Sequence, residues 1–134
     1  MKTTTLLPCS LLVLLLFVLS PRLALYGQTP TDAHLICVPD SGGKVKVKIH
    51  IVLADSVTFG AVEIKLGKHR GDSDLVYIQI PGAGSLPSGV SMINNNGTLT
   101  VEIPAVTKSN TYFSEVKVQS TSGAWSTPYR FISN

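Results

Sequence analysis

Beyond residue 33 the chain is written in a period of two. From Lys44 to Leu53 (KVKVKIHIVL) polar and apolar residues alternate without a break up to Ile51, and Leu53 continues the apolar set. Val45, Val47, Ile49, Ile51 and Leu53 project to one side, and Lys44, Lys46, Lys48 and His50 to the other. Successive side chains of a strand point to opposite faces, so the segment reads as a strand with one buried and one wet face. The lysine row is its solvated side, where charge also discourages pairing with a stray edge. Ala61 to Leu66 repeats the pattern, with Val62, Ile64 and Leu66 inward. Leu75 to Ile80 is a third strand ended by Pro81, and Thr98 to Ile103 a fourth ended by Pro104, with Leu99, Val101 and Ile103 inward. Thr111 to Gln119 places Tyr112, Val116 and Val118 on one face, and Trp125 to Ser133 follows as a sixth strand. His34 to Val38 and Val90 to Ile93 are shorter candidates. Turn residues separate these runs: Ser41-Gly42-Gly43, Gly67, Pro81-Gly82, Asn96-Gly97 and Ser122-Gly123. Short strands at this spacing predict an all-β fold, an antiparallel two-sheet β-sandwich of about seven strands. No run shows a helical period of useful length.

The first residues follow a different rule. Lys2 precedes an unbroken apolar run from Leu11 to Leu19, which Ser20, Pro21 and Arg22 interrupt. The run is shorter than the roughly 20 apolar residues that span a bilayer, and small residues follow it. The segment 1–27 is therefore read as a cleavable secretory signal peptide, cut after Gly27. Residues 28–33 are a short polar leader and 34–134 a single domain. Removing the signal takes Lys2 and Arg22 with it, so eleven basic residues become nine against eight acidic ones, and the net charge falls from +3 to +1. A nearly neutral domain lacks the basic footprint of a nucleic-acid binder. No membrane insertion is expected after cleavage.

Cysteine use changes the picture further. Cys9 leaves with the signal, so Cys37 is the one cysteine of the mature chain and no disulfide can form within it. In the apolar run Leu35-Ile36-Cys37-Val38 the free thiol is expected to be buried; the alternative is pairing with another chain.

Three features carry candidate chemistry. Arg70-Gly71-Asp72-Ser73 lies between two predicted strands and resembles the RGDS integrin-recognition sequence of extracellular matrix proteins. That resemblance implies an arginine for an acidic pocket and an aspartate that completes the oxygen shell of a receptor-bound divalent metal. The same residues are ordinary turn formers, and a plain polar hairpin is the other reading. Asn96-Gly97-Thr98 is an N-glycosylation sequon and also a tight-hairpin signal. Trp125 is either an exposed binding aromatic, together with Tyr129, or packs at the core edge beside Tyr112; the second is expected because aromatics bury a large area.

No residue pattern points to an enzyme, and none is expected. His34, His50 and His69 are scattered, no spacing suits a metal, and no nucleophile has a positioned base. His50 faces the wet side of its strand. No cofactor and no metal are expected.

From Gly97 onward the residues resemble a known architecture. Gly97-Thr98-Leu99-Thr100-Val101, then Tyr112 through Val118, then a Ser-Gly turn and Trp125-Ser126-Thr127-Pro128 are similar to the last three strands of immunoglobulin-like and fibronectin type III-like domains. The resemblance implies that Tyr112 is the tyrosine whose hydroxyl ties down the preceding corner. The stretch from Leu86 to Val90 also resembles cadherin-like sandwiches. The cysteine pair and early tryptophan of those families are missing. The expected function is a secreted, extracellular protein-binding module that engages a cell-surface or extracellular protein, with an integrin as receptor through Arg70, Gly71, Asp72 and Ser73. Two alternatives are a sandwich that binds a small ligand or glycan through its loops, and a structural subunit that assembles by a strand edge or Cys37.

Overall fold

A computed structural model describes residues 29–53 and 58–134 of the chain. The apolar segment 1–27 and Gln28, with the expected cleavage site, lie outside the described residues. The alternation in the sequence becomes eight strands: β1 (Asp32–Pro39), β2 (Val45–Val52), β3 (Ala61–Gly67), β4 (Val76–Pro81), β5 (Ser91–Asn95), β6 (Thr98–Val106), β7 (Tyr112–Gln119) and β8 (Tyr129–Ser133). They form two antiparallel sheets, ordered β1-β2-β6-β5 and β4-β3-β7-β8. Among the described residues the sole helical element is a single 3-10 turn at Ser41–Gly43.

The inward faces of the two sheets make one core. Val47, Ile49, Ile51, Val62, Ile64, Leu66, Ile80, Leu99, Val101 and Val116 are fully buried, and Val118 nearly so. Apart from Ile80, these are the residues that the period of two assigned inward, because burying one face of each sheet fixes register strongly. Ser114 occupies the same inward row of β7 as Val116 and Val118, and its hydroxyl is buried without a hydrogen-bond partner among the described residues.

Several elements differ from the sequence reading. β6 does not stop at Pro104. Val47 pairs with Ile103 but Val45 with Val106, so β6 carries a bulge that absorbs Pro104 and Ala105. Ala105 has a positive φ of 56°, and its freed N–H donates to the Asp40 carboxylate at 3.0 Å. A bulge is where a strand tolerates proline. β4 likewise extends through Pro81. Gly82 N–H bonds the Gly60 carbonyl, so the neighbouring Pro81 nitrogen faces the open side of the sheet and costs no ladder bond. The expected strand from Trp125 shrinks to Tyr129–Ser133. Ser126 instead bonds back to Val118, donating its N–H to the Val118 carbonyl (2.8 Å) and accepting the Val118 N–H on its hydroxyl (3.0 Å). β1 begins at Asp32, so the last two residues of the expected leader belong to the sheet, with Ala33 buried.

Two side-chain expectations are corrected. Cys37 is exposed, not buried. It lies on edge strand β1 near Pro39, where the sheet opens on a cleft shared with Lys44 and Lys108. Trp125 is half-buried but bridges Gln119, at the end of β7 opposite Tyr112, so it does not pack beside that tyrosine.

Candidate binding loop and outer sheet face

The β3–β4 hairpin is held by its own backbone. Leu75 N–H donates to the Leu66 carbonyl (3.1 Å), Asp72 N–H to the His69 carbonyl (3.1 Å), and Lys68 N–H to the Asp74 carboxylate (3.1 Å). Gly71 takes a φ of +86°, which lets the chain reverse between Arg70 and Asp72. Gly67 is required by close approach: a Cβ there would lie 2.5 Å from the Asp72 carbonyl oxygen. The loop is thus pressed on the end of β3 instead of trailing from it.

Arg70, Gly71, Asp72 and Ser73 are all exposed at this tip. The Asp72 carboxylate lies 3.3 Å from His69 Nδ1, and both side chains are half or more exposed. Among the described residues Arg70 makes no ion pair, so it is not locked to Asp72. Beside the tip runs a groove of ≈ 330 Å³, to which Lys65, Arg70, Asp72, Glu115, Arg130 and Phe113 contribute. It joins the loop to the outer face of the β4-β3-β7-β8 sheet.

That outer face holds a polar cluster that the sequence reading missed. Glu63 is only 6% exposed although it points away from the core. Its Oε2 accepts from Tyr77 Oη (3.1 Å) and Gln79 Nε2 (3.1 Å), and its Oε1 faces Lys117 (3.5 Å) and Lys65 (3.7 Å). Burial pushes its pKa up, but the hydrogen bonds from Gln79 and Tyr77, with the ammonium groups of Lys117 and Lys65, outweigh it, and the carboxyl sits below its ordinary value. Glu115 continues the row, 2.9 Å from Arg130 Nε and 4.0 Å from Lys65. The signal was present in the sequence: Glu63-x-Lys65 and Glu115-x-Lys117 are the same pattern twice. Antiparallel pairing of β3 with β7 crosses them, Glu63 against Lys117 and Lys65 against Glu115.

The remaining candidates fall elsewhere. Asn96 is exposed at the β5–β6 hairpin, with φ +50° and Gly97 at +90°, the left-handed pair that a two-residue type I′ turn demands. His34 and His50 stack across β1 and β2 with ring centroids 4.7 Å apart, and His50 Nδ1 lies 3.2 Å from the Thr100 hydroxyl. Burial, then His34 and Lys48, pull His50 below its ordinary value. The Tyr112 hydroxyl is raised, mainly by burial, while the Ser109 N–H opposes this and the Cys37 side chain beside it adds to it. The structure does not bring Arg70, Asn96 and Cys37 together: they lie in the β3–β4 hairpin, the β5–β6 hairpin and strand β1 respectively. Among the described residues no group of three or more His, Cys, Asp or Glu side chains could hold a metal ion. No protein-family model, curated protein or solved structure matches the chain.

Proposed function

We propose that the chain is a secreted extracellular protein-binding module that presents Arg70-Gly71-Asp72 to an integrin-type receptor. The observation that carries this reading is the exposed tripeptide on a short, backbone-braced hairpin, with Gly71 at positive φ and Arg70 unpaired among the described residues. Asp72 would offer its carboxylate oxygen to a receptor-bound divalent cation, and Arg70 its planar guanidinium to an acidic pocket. Binding residues placed on a loop over a rigid sandwich suit such a role. The reading includes an immunoglobulin-like or fibronectin type III-like type of sandwich. Support comes from the sheet order β1-β2-β6-β5 against β4-β3-β7-β8 and from Tyr112, whose hydroxyl bonds upstream backbone. It also includes cleavage of residues 1–27 and an N-glycan on Asn96.

The test is attachment of integrin-bearing cells to the immobilised protein. Wild type should hold cells only with divalent cations present. Asp72→Glu should fail although it keeps the charge, since the added methylene moves the carboxylate out of a coordination sphere with metal–oxygen distances defined to tenths of an ångström. Arg70→Lys should weaken attachment by replacing a fork with a point charge. Equal attachment to wild type and Asp72→Glu refutes the proposal. For the glycan, an N-glycan-specific amidase should lower the mass of protein from eukaryotic cells, and Asn96→Gln should remove that change. A second reading, a small ligand or glycan bound beside the loop, draws on the groove between Arg70, Lys65 and Arg130.

A further inference from the structure

We propose that β4 is a self-pairing edge: two copies of this chain join their β4 strands antiparallel about a two-fold axis centred on Ile78, fusing their two β4-β3-β7-β8 sheets into one.

The edge is open. β4 ends the order β4-β3-β7-β8 and pairs only with β3 among the described strands. Most of it is unprotected. Val76-Tyr77-Ile78-Gln79-Ile80 contains no charge and no proline and is built largely of strong strand formers. Pro81, at the end of the strand, is the one residue of β4 that withholds an outward N–H. The other end of the sheet differs, since β8 carries Arg130 and packs beside β1. In the second sheet the edge strand β1 carries Asp32 and His34, and β5 spans only five residues.

The register fixes which backbone groups are free. Gly82 bonds Gly60, and pairs two residues apart repeat that contact, so the N–H and C=O groups of Ile80, Ile78 and Val76 point toward β3. Those of Tyr77 and Gln79 therefore point outward. Antiparallel pairing about Ile78 sets Tyr77 of each copy opposite Gln79 of the other. In that register every outward donor and acceptor of Tyr77 and Gln79 finds a partner, and the pairing ends where Pro81, which lacks an N–H, meets Leu75, whose N–H is already bonded to Leu66.

Side chains agree with the same register. Tyr77, 57% exposed, would lie beside Gln79 of the second copy on the outer face, and half-buried Ile78 would meet its own mate on the inner face. Lys65 stands beside Tyr77, and Glu63 beside Gln79. Across the seam the row therefore reads Lys65, Tyr77, then Gln79 and Glu63 of the second copy, with opposite charges in line and no like charges opposed. This self-complementarity is what favours a second copy over an extended peptide of another protein, which would need no symmetry.

Sedimentation velocity across a wide concentration range, on protein purified after expression of the full sequence, tests the proposal. A reversible monomer–dimer equilibrium is expected, unaffected by reductant and by Cys37→Ser. Hydrogen exchange should show the Tyr77 and Gln79 amides gaining protection as the dimer forms, with the Ile78 amide protected throughout. Gln79→Pro removes an outward N–H, and of the backbone hydrogen-bonding groups no other, and should weaken dimerisation by about tenfold or more, the scale of one lost hydrogen bond on each side of the axis. Gln79→Ala keeps the N–H and controls for loss of the amide bond to Glu63, so it should retain the dimer. Circular dichroism confirms that both variants are folded. A chain that stays monomeric with freely exchanging Tyr77 and Gln79 amides overturns the proposal and leaves the edge to a different protein's peptide. A dimer that Gln79→Pro leaves intact, or that reductant dissolves, overturns it equally. None of these outcomes depends on what the Arg70-Gly71-Asp72 loop binds.

Discussion

Replacing Tyr112 by Phe isolates a single hydroxyl at the turn between the sheets. Tyr112 opens β7 and is 2% exposed. Its Oη accepts the Ser109 N–H at 2.9 Å and donates to the Thr107 carbonyl at 3.5 Å. The ring stays in place when the hydroxyl is removed, so no large cavity opens and the hydrogen bonds are the main loss. The first bond has good geometry and is worth about 0.5–1.5 kcal/mol net. The second is long and adds little. Ser109 is half-buried, so water can partly replace the lost acceptor, which keeps the penalty for its orphaned N–H at the low end of the range of about 1–3 kcal/mol for a fully buried donor. The expected total is about 1–2 kcal/mol, a fall in Tm of about 4–8 °C for each kcal/mol in a domain near this size. Urea denaturation should show a lower midpoint with an unchanged slope, since the exposed area on unfolding is the same. Tyr129→Phe is the internal reference: among the described residues its hydroxyl reaches only Asp32, at 3.5 Å on the surface. Equal midpoints for Tyr112→Phe and Tyr129→Phe would refute the idea that the Tyr112 hydroxyl anchors the Thr107–Thr111 connection.

Two further outcomes bear on the loop and on the histidine pair. Gly67→Ala drives a Cβ into the Asp72 backbone and should cost about 1–3 kcal/mol while displacing the tripeptide, so thermal stability and cell attachment should fall together; wild-type stability would mean that the loop does not rest on β3. His50 holds its proton less readily in the folded chain than its ordinary value of 6.5, so the unfolded chain takes up the proton first and stability is complete above about that pH and declines as pH falls through the lower folded value. A thermal midpoint that drops between neutral and mildly acid pH in wild type, and drops less in His50→Gln, is the expected pattern; parallel curves would refute it.

The sandwich was legible wherever one face of a strand had to be buried. KVKVKIHIVL and TLTVEI could be assigned residue by residue because a one-residue slip would expose Val45, Val47, Ile49, Ile51, Leu99, Val101 and Ile103 together. The ends of the strands were not legible in the same way. Pro104 and Pro81 read as stops, yet both are accommodated by where their missing N–H falls: one within a bulge and the other on an open edge. That depends on the hydrogen-bond phase of the ladder, which needs the pairing partner and not only the local sequence. Cys37 failed for a related reason. Its run is as apolar as a core strand, but β1 is at a sheet edge, and edge position is a property of topology.

The site divides along the same line. Arg70-Gly71-Asp72 and Asn96-Gly97 could be placed at exposed tips because glycine with positive φ marks a reversal locally. Glu63 could not be found that way, since period-two alternation labels it a solvated residue. It is covered because β7 lies antiparallel to β3 in the one register that sets each glutamate against a lysine, and because Tyr77 and Gln79 from β4 close over the other carboxylate oxygen. The outer face of the β4-β3-β7-β8 sheet is therefore ordered by charge where its inner face is ordered by hydrophobicity. That row of alternating charges ends at β4, an uncharged strand whose outer edge is open. A second copy paired with β4 in the antiparallel register continues that row, with Lys65 of one copy in line with Glu63 of the other across Tyr77 and Gln79.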